Sequence, residues 1–416
     1  MNLPGLFGLL SLQALLMHPY FSTTYIPRLV RLALGSYVFW TSLLYPFKSI
    51  STPFRKDMSD NLATATASFY IAIKSLEWGL SAGPHYARTL KKFGKYYQWE
   101  KPSDSEKEAQ RSSRPSFSEL LRWTVWQTTS FRGFQFDWGP SVPCQRRSVT
   151  SLFTKFCVNK ISALLAASLL VAARDAPEGR TAAALLNSLG IPNIFGGWIL
   201  GELLYNLTFG AYIVSAMDGN FTLLILVNTL IYKILSPFPF LQPASDFFDP
   251  VHWPIFFDSP ELSTSLANFW GRRWHQILRR IFKLGGQSCS RIAESLGFDT
   301  RFQKIAALFG PFFISGMLHE YIFWAALRPP HSTFRTVLGI FPGSMVFFTS
   351  QTIGILIEPL LIPLIPKRLG GGRLWTWFFL TVTVTFYRRH FVNNGWFDYS
   401  LPPLSQWDWT LLLKNI

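Results

Sequence analysis

The sequence predicts an all-α polytopic membrane protein with about eight or nine transmembrane helices and two long polar loop segments. Hydrophobic residues make up 49% of the 416 residues and charged residues only 15%, which is unlike a soluble globular domain. Aromatic residues reach 17%, as expected for lipid-facing helices with interfacial aromatic belts. The apolar residues also fall into runs that are long enough to cross a bilayer.

Nine apolar runs are the candidate spans, at roughly 17 to 25 residues for a typical crossing. They are 3–17, 27–47, 62–80, 152–173, 193–215, 220–236, 305–327, 337–365 and 374–387. The first is short, and we expect it to lie partly in the membrane interface. The run 337–365 is long enough to tilt strongly or to break near Pro359 and Pro363.

Two polar segments, 81–150 and 237–301, separate these runs. Within the first, residues 117–127 have apolar side chains at helical spacing, which predicts an amphipathic helix on the membrane surface. An odd number of spans lies between the two segments, so both cannot be cytosolic. The sequence leaves their sidedness open.

The 39 Lys and Arg residues outnumber the 23 Asp and Glu residues. These basic residues lie between apolar runs, where the positive-inside rule and anionic headgroups account for them. We therefore expect membrane lipid, and no nucleic acid, as a partner.

The three cysteines are too few and too scattered for a disulfide framework or a structural zinc site. They are Cys144, Cys157 and Cys289. No spacing typical of metal ligands is present, so neither a metal nor a bound cofactor is predicted.

Residues 268–276 hold two tryptophans, two arginines, an amide and an imidazole. The run 261–282 contains no proline and predicts a helix that Ser259 or Ser263 caps. On that helix one polar stripe and one aromatic stripe would lie side by side. The polar stripe is Asn268, Arg272 and His275, and the aromatic stripe is Trp270 and Trp274.

A second polar site lies inside the predicted span 305–327, at Ser315, His319 and Glu320. An imidazole and a carboxylate at hydrocarbon depth are costly unless they face a cavity or a partner, so they indicate function. Glu320 points about 100° away from His319 on a helix, so we expect it to bind a basic group on another helix. A neutral His319 could take a proton from an alcohol that attacks a thioester. Two alternatives stay open, a structural histidine and a proton relay in a transporter.

The run from Trp253 to Gln276 resembles the wax synthase domain of the membrane-bound O-acyltransferase superfamily. Other positions fit the same family, in order along the chain. They are Arg132-Gly133 with Trp138, then Ser315-Gly316, His319-Glu320, Phe347-Phe348, Gln351, Gly354, Ile355 and Glu358. The sequence is most similar to the fungal branch, whose members acetylate hydroxyls of terpenoids and meroterpenoids. Plant members esterify fatty alcohols.

The resemblance implies that His319 is the catalytic base and that the 268–275 segment is the acyl-donor motif. His275 stands where relatives often have Asn. It would be a second catalytic residue that polarises the thioester carbonyl, or a residue that holds a hydrogen bond beside it. The implied substrate-binding residues are Asn268, Trp270, Arg272, Arg273, Trp274, Ser315 and Glu320. If the family resemblance is set aside, the two tryptophans are interpreted as interfacial anchors and the two arginines as positive-inside charge.

The expected function is transfer of an acyl group, acetyl from acetyl-CoA, to a hydroxyl of a hydrophobic acceptor such as a terpenoid or meroterpenoid in secondary metabolism. A long-chain wax ester synthase using another acyl-CoA is the alternative within this chemistry, and a proton-coupled transporter is the alternative outside it. The expected location is the endoplasmic reticulum, and the oligomeric state is left open.

Four regions are expected along the chain. They are N-terminal spans and basic loop (1–150), central spans (151–236), a catalytic region (237–365), and a C-terminal span and tail (366–416). The remaining histidines, His18, His85, His252, His331 and His390, are predicted to be inert.

Overall fold

A computed structural model of the chain describes residues 2–21, 24–50, 58–130, 132–140, 144–175, 181–191, 197–327 and 342–393. His331 lies outside these residues. The described part is predominantly helical. Its helices are α1 (Leu3–Leu15), α2 (Tyr25–Ser49), α3 (Met58–Leu80), α4 (Asp104–Ser112), α5 (Phe117–Thr129), α6 (Val149–Asp175), α7 (Ala182–Ser188), α8 (Gly197–Leu235), α9 (Gln242–Phe248), α10 (Leu266–Asn268), α11 (Arg279–Ser295), α12 (Thr300–Leu327), α13 (Gly343–Leu361) and α14 (Gly372–Asn393).

Four helices among the described residues, α6, α8, α12 and α13, are long and apolar enough to cross a membrane. Helices α2, α3 and α14 also lie where spans were predicted, but they are not apolar enough to meet the same criterion. The short first run forms the apolar helix α1. The run 337–365 does break where its prolines predict, because α13 ends at Leu361 and a 3₁₀ turn follows over Ile362–Leu364.

The prediction of two separate spans at 193–215 and 220–236 is wrong, since α8 is one continuous helix of 39 residues. The polar residues between the two runs have partners on α6. The carboxylate of Asp218 lies 2.9 Å from Lys155 Nζ and accepts a hydrogen bond from Asn159 Nδ2 at 3.0 Å. The side chain of Asn220 accepts one from Lys160 Nζ at 2.9 Å. With these groups paired, the helix needs no interruption.

The first polar segment contains an antiparallel hairpin that the all-α prediction missed. Strand β1 (Thr89–Phe93) pairs with β2 (Tyr96–Glu100), and Phe93 faces Tyr96 at the closed end. Gly94 adopts φ +59° in the connecting turn, a conformation that favours glycine. The predicted amphipathic helix at 117–127 is present as α5. Ser116 and Glu119 form a capping box at its start.

Helix α12 is central to the candidate site because it carries His319 and packs against α3, α11 and α13. The ring of Tyr387 on α14 also contacts His319. Its crossing with α11 is very close: a Cβ added to Gly310 would lie 2.8 Å from Gly286 Cα and would collide with Gly285 O. A buried aromatic cluster of Phe312, Phe347 and Phe348 joins α12 to α13, and Trp270 and Tyr387 pack against it. Helices α6 and α8 pack against each other, and α8 also contacts α14.

Candidate active site

The 268–276 segment is not the continuous helix that the sequence predicts. A 3₁₀ turn at Pro260–Leu262 and the short helix α10 lead into a π-helical turn at Phe269–Arg273. Trp274 is then extended, with ψ 156°, and α11 begins only at Arg279. The predicted helix at 261–282 and its stripe of Asn268, Arg272 and His275 are therefore wrong. A π turn of this kind is a frequent feature of functional sites.

The turn begins at a hydrogen-bonded cap supplied by two side chains. The buried Glu358 carboxylate, on α13, accepts the backbone N–H groups of Leu266 and Ala267. Ser265 Oγ accepts the N–H of Asn268 at 2.8 Å. The N-cap is therefore Ser265 and not Ser259 or Ser263. Because Glu358 lies far along the chain, local sequence rules cannot detect its contribution.

Arg273 holds the turn together from within. Its Nε donates to Asn268 Oδ1 at 2.8 Å, and its Nη1 donates to the carbonyls of Asp258 and Ser259 at 3.0 Å each. Ser259 is the one non-glycine residue with positive φ, at +48°, in the part of the chain that the structure describes. Arg272 is different, because its side chain is 72% exposed and pairs at 3.2 Å with Asp258 at the surface. Asn268 and Arg273 thus hold the backbone, whereas Arg272 faces outward.

The two tryptophans connect the motif to the rest of the bundle. Trp270 Nε1 donates to the buried Gln351 Oε1 at 3.1 Å, and its ring packs 5.8 Å from Phe312 and 5.9 Å from Phe348. The Trp274 ring lies 5.5 Å from Trp270. Both rings are partly buried among aromatic residues, and Trp270 contacts α12 and α13 in the same cluster that surrounds His319.

His319 is held in one orientation by its own helix. Its Nδ1 lies 2.7 Å from the carbonyl oxygen of Ser315, one turn earlier. A carbonyl can only accept, so Nδ1 carries the proton and a neutral ring presents the lone pair of Nε2. The ring lies 4.5 Å from Phe348 and 5.6 Å from Tyr387. His319 is therefore oriented as a proton acceptor inside an aromatic surround.

His275 follows the π turn and lies close enough to His319 for the charge of one ring to affect the other. Burial, reinforced by His319 and Arg132, lowers the pKa of His275 to about 3, so the ring is neutral at pH 7. Its ring packs 5.2 Å from Phe256. Its Nδ1 is buried and has no hydrogen-bond partner within the described residues. The structure thus brings together the two histidines that the sequence singled out.

Arg132 supports the loop on which His275 packs. Its guanidinium donates to the carbonyls of Pro254, Ile255 and Phe256 at 3.4, 3.0 and 3.5 Å. Gly133 follows at φ +64°, and any side chain there would collide with the ring of Trp138. This segment therefore shapes the site from more than 120 residues away in sequence.

Glu320 and Ser315 contact protein groups. One carboxylate oxygen of Glu320 accepts the N–H of Ser344 at 3.0 Å, at the start of α13. The other lies 3.1 Å from His390 Nε2 on α14, so an imidazole on another helix is next to the carboxylate. Ser315 is buried, and its carbonyl orients His319. Both residues therefore have structural partners beside the proposed site.

Sequence reasoning did not assign a role to Tyr387 or Phe256, which pack on the two imidazoles. Both are aromatic residues near the end of an apolar or turn-rich stretch, and nothing in their local pattern separates them from many others. Among the described residues, no group of three or more His, Cys, Asp and Glu side chains comes together as a metal site. The site is therefore built from imidazoles, aromatic rings and backbone groups.

Comparison with known proteins matches residues 253–350, which include the motif and His319, to the membrane bound O-acyl transferase family. Acetyltransferase ple2 of Rhodocybe pseudopiperita is 23% identical over 287 residues, which cover 69% of this chain and 66% of that protein. Acetyltransferase eriL of Hericium erinaceus is 28% identical over 142 residues, covering 32% and 35%. Long-chain-alcohol O-fatty-acyltransferase of Simmondsia chinensis is 35% identical over 72 residues, covering 17% and 20%.

This chain therefore spans from one fifth to just under two thirds of the length of these three relatives. The matches include both fungal acetyltransferases and plant acyltransferases of long-chain alcohols. They confirm the resemblance to wax synthase-like membrane-bound O-acyltransferases.

Proposed function

We propose that this chain, whose residues 253–350 belong to the membrane bound O-acyl transferase family, transfers an acyl group from acyl-CoA to the hydroxyl of a hydrophobic acceptor. The observation that carries the proposal is the orientation of His319. Its Nδ1–H donates to Ser315 O at 2.7 Å, which leaves Nε2 as the proton acceptor beside His275. General-base transfer needs such a group.

In the proposed reaction, His319 Nε2 accepts the hydroxyl proton while the acceptor oxygen bonds to the thioester carbonyl carbon. The tetrahedral intermediate then collapses and the carbon–sulfur bond breaks. The departing thiolate takes the proton from His319, which restores the neutral ring. The products are an ester and free CoA, and the thioester supplies the driving force, so this scheme calls on no metal or redox group.

His275 would stabilise the negative charge that develops on the thioester oxygen. Its pKa of about 3 keeps the ring neutral at pH 7, and a neutral imidazole can still donate one N–H to an oxyanion. Its unpartnered, buried ring nitrogen beside His319 supports this role. Trp270, Trp274 and Arg272 would line the donor side, while Asn268, Arg273, Ser315 and Glu320 would hold its geometry.

We propose acetyl as the acyl group and a terpenoid or meroterpenoid alcohol as the acceptor. The acetyl group rests on the acetyltransferases of Rhodocybe pseudopiperita and Hericium erinaceus among the relatives, and the acceptor class rests on the resemblance to the fungal branch. The second candidate is wax ester synthesis from long-chain acyl-CoA and a fatty alcohol. It is favoured by the similarity to the Simmondsia chinensis long-chain-alcohol enzyme.

The finer features of the membrane protein also belong to this proposal. They are eight of the predicted eight or nine crossings, where α1, α2, α3 and α14 would add to the four apolar helices, and residence in the endoplasmic reticulum. Donor would reach the site from the aqueous side and acceptor from the bilayer.

The test is acyl transfer by the purified chain in detergent. Labelled acetyl-CoA and palmitoyl-CoA are each offered with a diterpene alcohol, a sterol and a long-chain primary alcohol. We expect labelled acetyl ester from wild type and a loss of at least about a hundredfold in His319→Ala, since a general base contributes about 10²–10⁴-fold.

The matched control is His18→Gln, a histidine outside the site, which should keep wild-type turnover. Both variants must elute as the same monodisperse species as wild type. Near-normal turnover in His319→Ala would refute the catalytic assignment. A transporter makes no ester in detergent under any of these conditions, and ester formation from palmitoyl-CoA alone would favour the wax candidate.

A further inference from the structure

A buried cluster of charged side chains surrounds the indole of Trp138, outside the proposed catalytic pair. Lys74 Nζ on α3 lies 4.3 Å from the centroid of the Trp138 ring, and Arg280 Cζ on α11 lies 5.0 Å from it. Glu77 bonds to both cations, at 3.3 Å from Lys74 Nζ and in closer contact with Arg280 Nε. Two helices and the segment after Gly133 therefore converge on one ring.

The charges of this cluster do not balance. Glu77 is the one carboxylate that pairs with Lys74 and Arg280 within the described residues, so the formal charges leave one cation in excess. The side chains of Lys74 and Glu77 are 1% and 4% exposed, where water cannot offset that charge. Arg280 is 27% exposed and connects the cluster to the surface. A buried cation without an anion is unfavourable, so the site favours a further anion.

Two buried nitrogen atoms at the cluster also lack partners among the residues described. They are Trp138 Nε1 and His85 Nε2. His85 Nδ1 contacts the side-chain amide nitrogen of Gln127, which donates to it, so the proton of the neutral ring lies on Nε2. The His85 ring is 5.7 Å from that of Trp138. Both atoms are thus N–H donors, the type of group that binds phosphate oxygens.

We propose that Lys74, Arg280, His85 and Trp138 bind a phosphate group of the CoA donor. This inference rests on the proposed function and names where the donor's charge is held. Arg280 is five residues beyond His275, in the first turn of α11, and α3 packs directly against α12, which carries His319. The cluster therefore lies on elements that adjoin those carrying His275 and His319, and it reaches the surface at Arg280. A carrier with a phosphorylated end and a thioester end requires both.

The experiment compares two thiol ligands by isothermal titration of the full chain in detergent. CoA carries the phosphates and the adenosine, whereas pantetheine has the same thiol arm without either. In Arg280→Gln, Glu77 keeps Lys74 as its counterion, so the fold should persist while the excess charge is lost. We expect the Kd for CoA to rise about tenfold, as for loss of a charged hydrogen bond, and the Kd for pantetheine to stay unchanged.

Two control variants bracket this result. Lys283→Gln removes an exposed cation from the same helix and should leave both Kd values at wild type. Arg280→Lys keeps the positive charge and should bind CoA with less than half of the loss seen in Arg280→Gln. If Arg280→Gln weakens CoA and pantetheine equally, the role of Arg280 is structural and the proposal is overturned. Unchanged CoA binding in Arg280→Gln overturns it as well, as would occur if a lipid headgroup filled the cluster.

This readout needs no acceptor and no turnover, so the two proposals can fail separately. Absence of ester with phosphate-dependent CoA binding would reject the transferase reaction alone. Ester formation by wild type with phosphate-independent binding would reject the phosphate site alone.

Discussion

His275 has a side chain that the proposed reaction uses in a specific way, as a neutral donor to the thioester oxygen. His275→Ala removes that donor and should lower kcat by about a hundredfold, since one oxyanion donor contributes about 10²–10³-fold. His275→Asn places an amide N–H in nearly the same position and should recover at least a tenth of wild-type turnover. Acetyl ester formation at saturating acetyl-CoA measures both.

A purely packing role for His275 makes the opposite prediction. Asn fills the space between Phe256 and Trp274 less well than the imidazole does, so both variants would then lose activity together with melting temperature. Equal activity in His275→Ala and wild type would remove His275 from the mechanism. The comparison of kcat with thermal stability therefore separates chemistry from packing.

The sequence indicated His319 and Glu320 because ionisable groups at hydrocarbon depth are costly and therefore mark a functional or paired position. It could not indicate how Trp270 and Glu358 are used. Trp270 bonds to Gln351, 81 residues away, and Glu358 caps Leu266, 92 residues away. Such pairs exist only after the helices have packed, so no local spacing predicts them.

In the 268–276 segment, tertiary contacts override the helix that the local sequence pattern predicts. The proline-free run 261–282 has good helical character, yet it forms a π turn, an extended residue and a new helix start. Glu358, Ser265 and Arg273 satisfy backbone groups that a regular helix would otherwise pair internally. Helix α8 shows the reverse, because Lys155 and Asn159 pair with Asp218 and so preserve one helix where the sequence predicts two.

The crossing of α11 and α12 has no room for a larger side chain at Gly310. A methyl group at Gly310 would collide with the Gly285 carbonyl, which is backbone and cannot rotate away. Gly310→Ala should therefore separate the two helices that carry Arg280 and His319. We expect a destabilisation of about 1–3 kcal/mol, typical of overpacking, measured as a lower melting temperature in detergent.

Gly210→Ala on α8 is the matched control. A Cβ at Gly210 meets nothing within 4 Å, and alanine favours a helix over glycine by about 1 kcal/mol. This variant should be as stable as wild type or more so. Equal melting temperatures for Gly310→Ala and Gly210→Ala would mean that the crossing is wider than the structure has it.

The composition of the chain predicted a helical membrane protein because backbone N–H and C=O groups in lipid must be hydrogen-bonded within the protein, which few structures other than helices achieve. The hairpin of β1 and β2 was missed because it lies in a polar segment where no such constraint applies. Its strands carry charged and aromatic residues, of which Trp99 alone is buried. Their pairing depends on the Gly94 turn and on contacts such as the backbone hydrogen bonds between Tyr97 and Cys144.

Two buried histidines give the molecule a predictable response to acid. Burial lowers the pKa of His85 and of His275 to about 3 each, whereas an unfolded histidine titrates near 6.5. Between these values the unfolded chain binds protons that the folded chain does not. The contribution of these histidines to the free energy of unfolding is therefore fully present above about pH 6.5 and is lost as the pH falls. Each histidine contributes up to about 1.4 kcal/mol per pH unit.

We therefore expect the melting temperature in detergent to fall steadily from pH 7 to pH 5, a range above the titration of ordinary carboxylates. His275→Asn removes one of the protons involved, so the slope of its melting temperature against pH should be smaller than that of wild type. The mutation of an exposed cation, Lys283→Gln, should leave the slope unchanged. A melting temperature that is constant between pH 7 and 5 would mean that both rings are solvated in the folded protein. That result would also remove the physical basis for a neutral His275 beside His319.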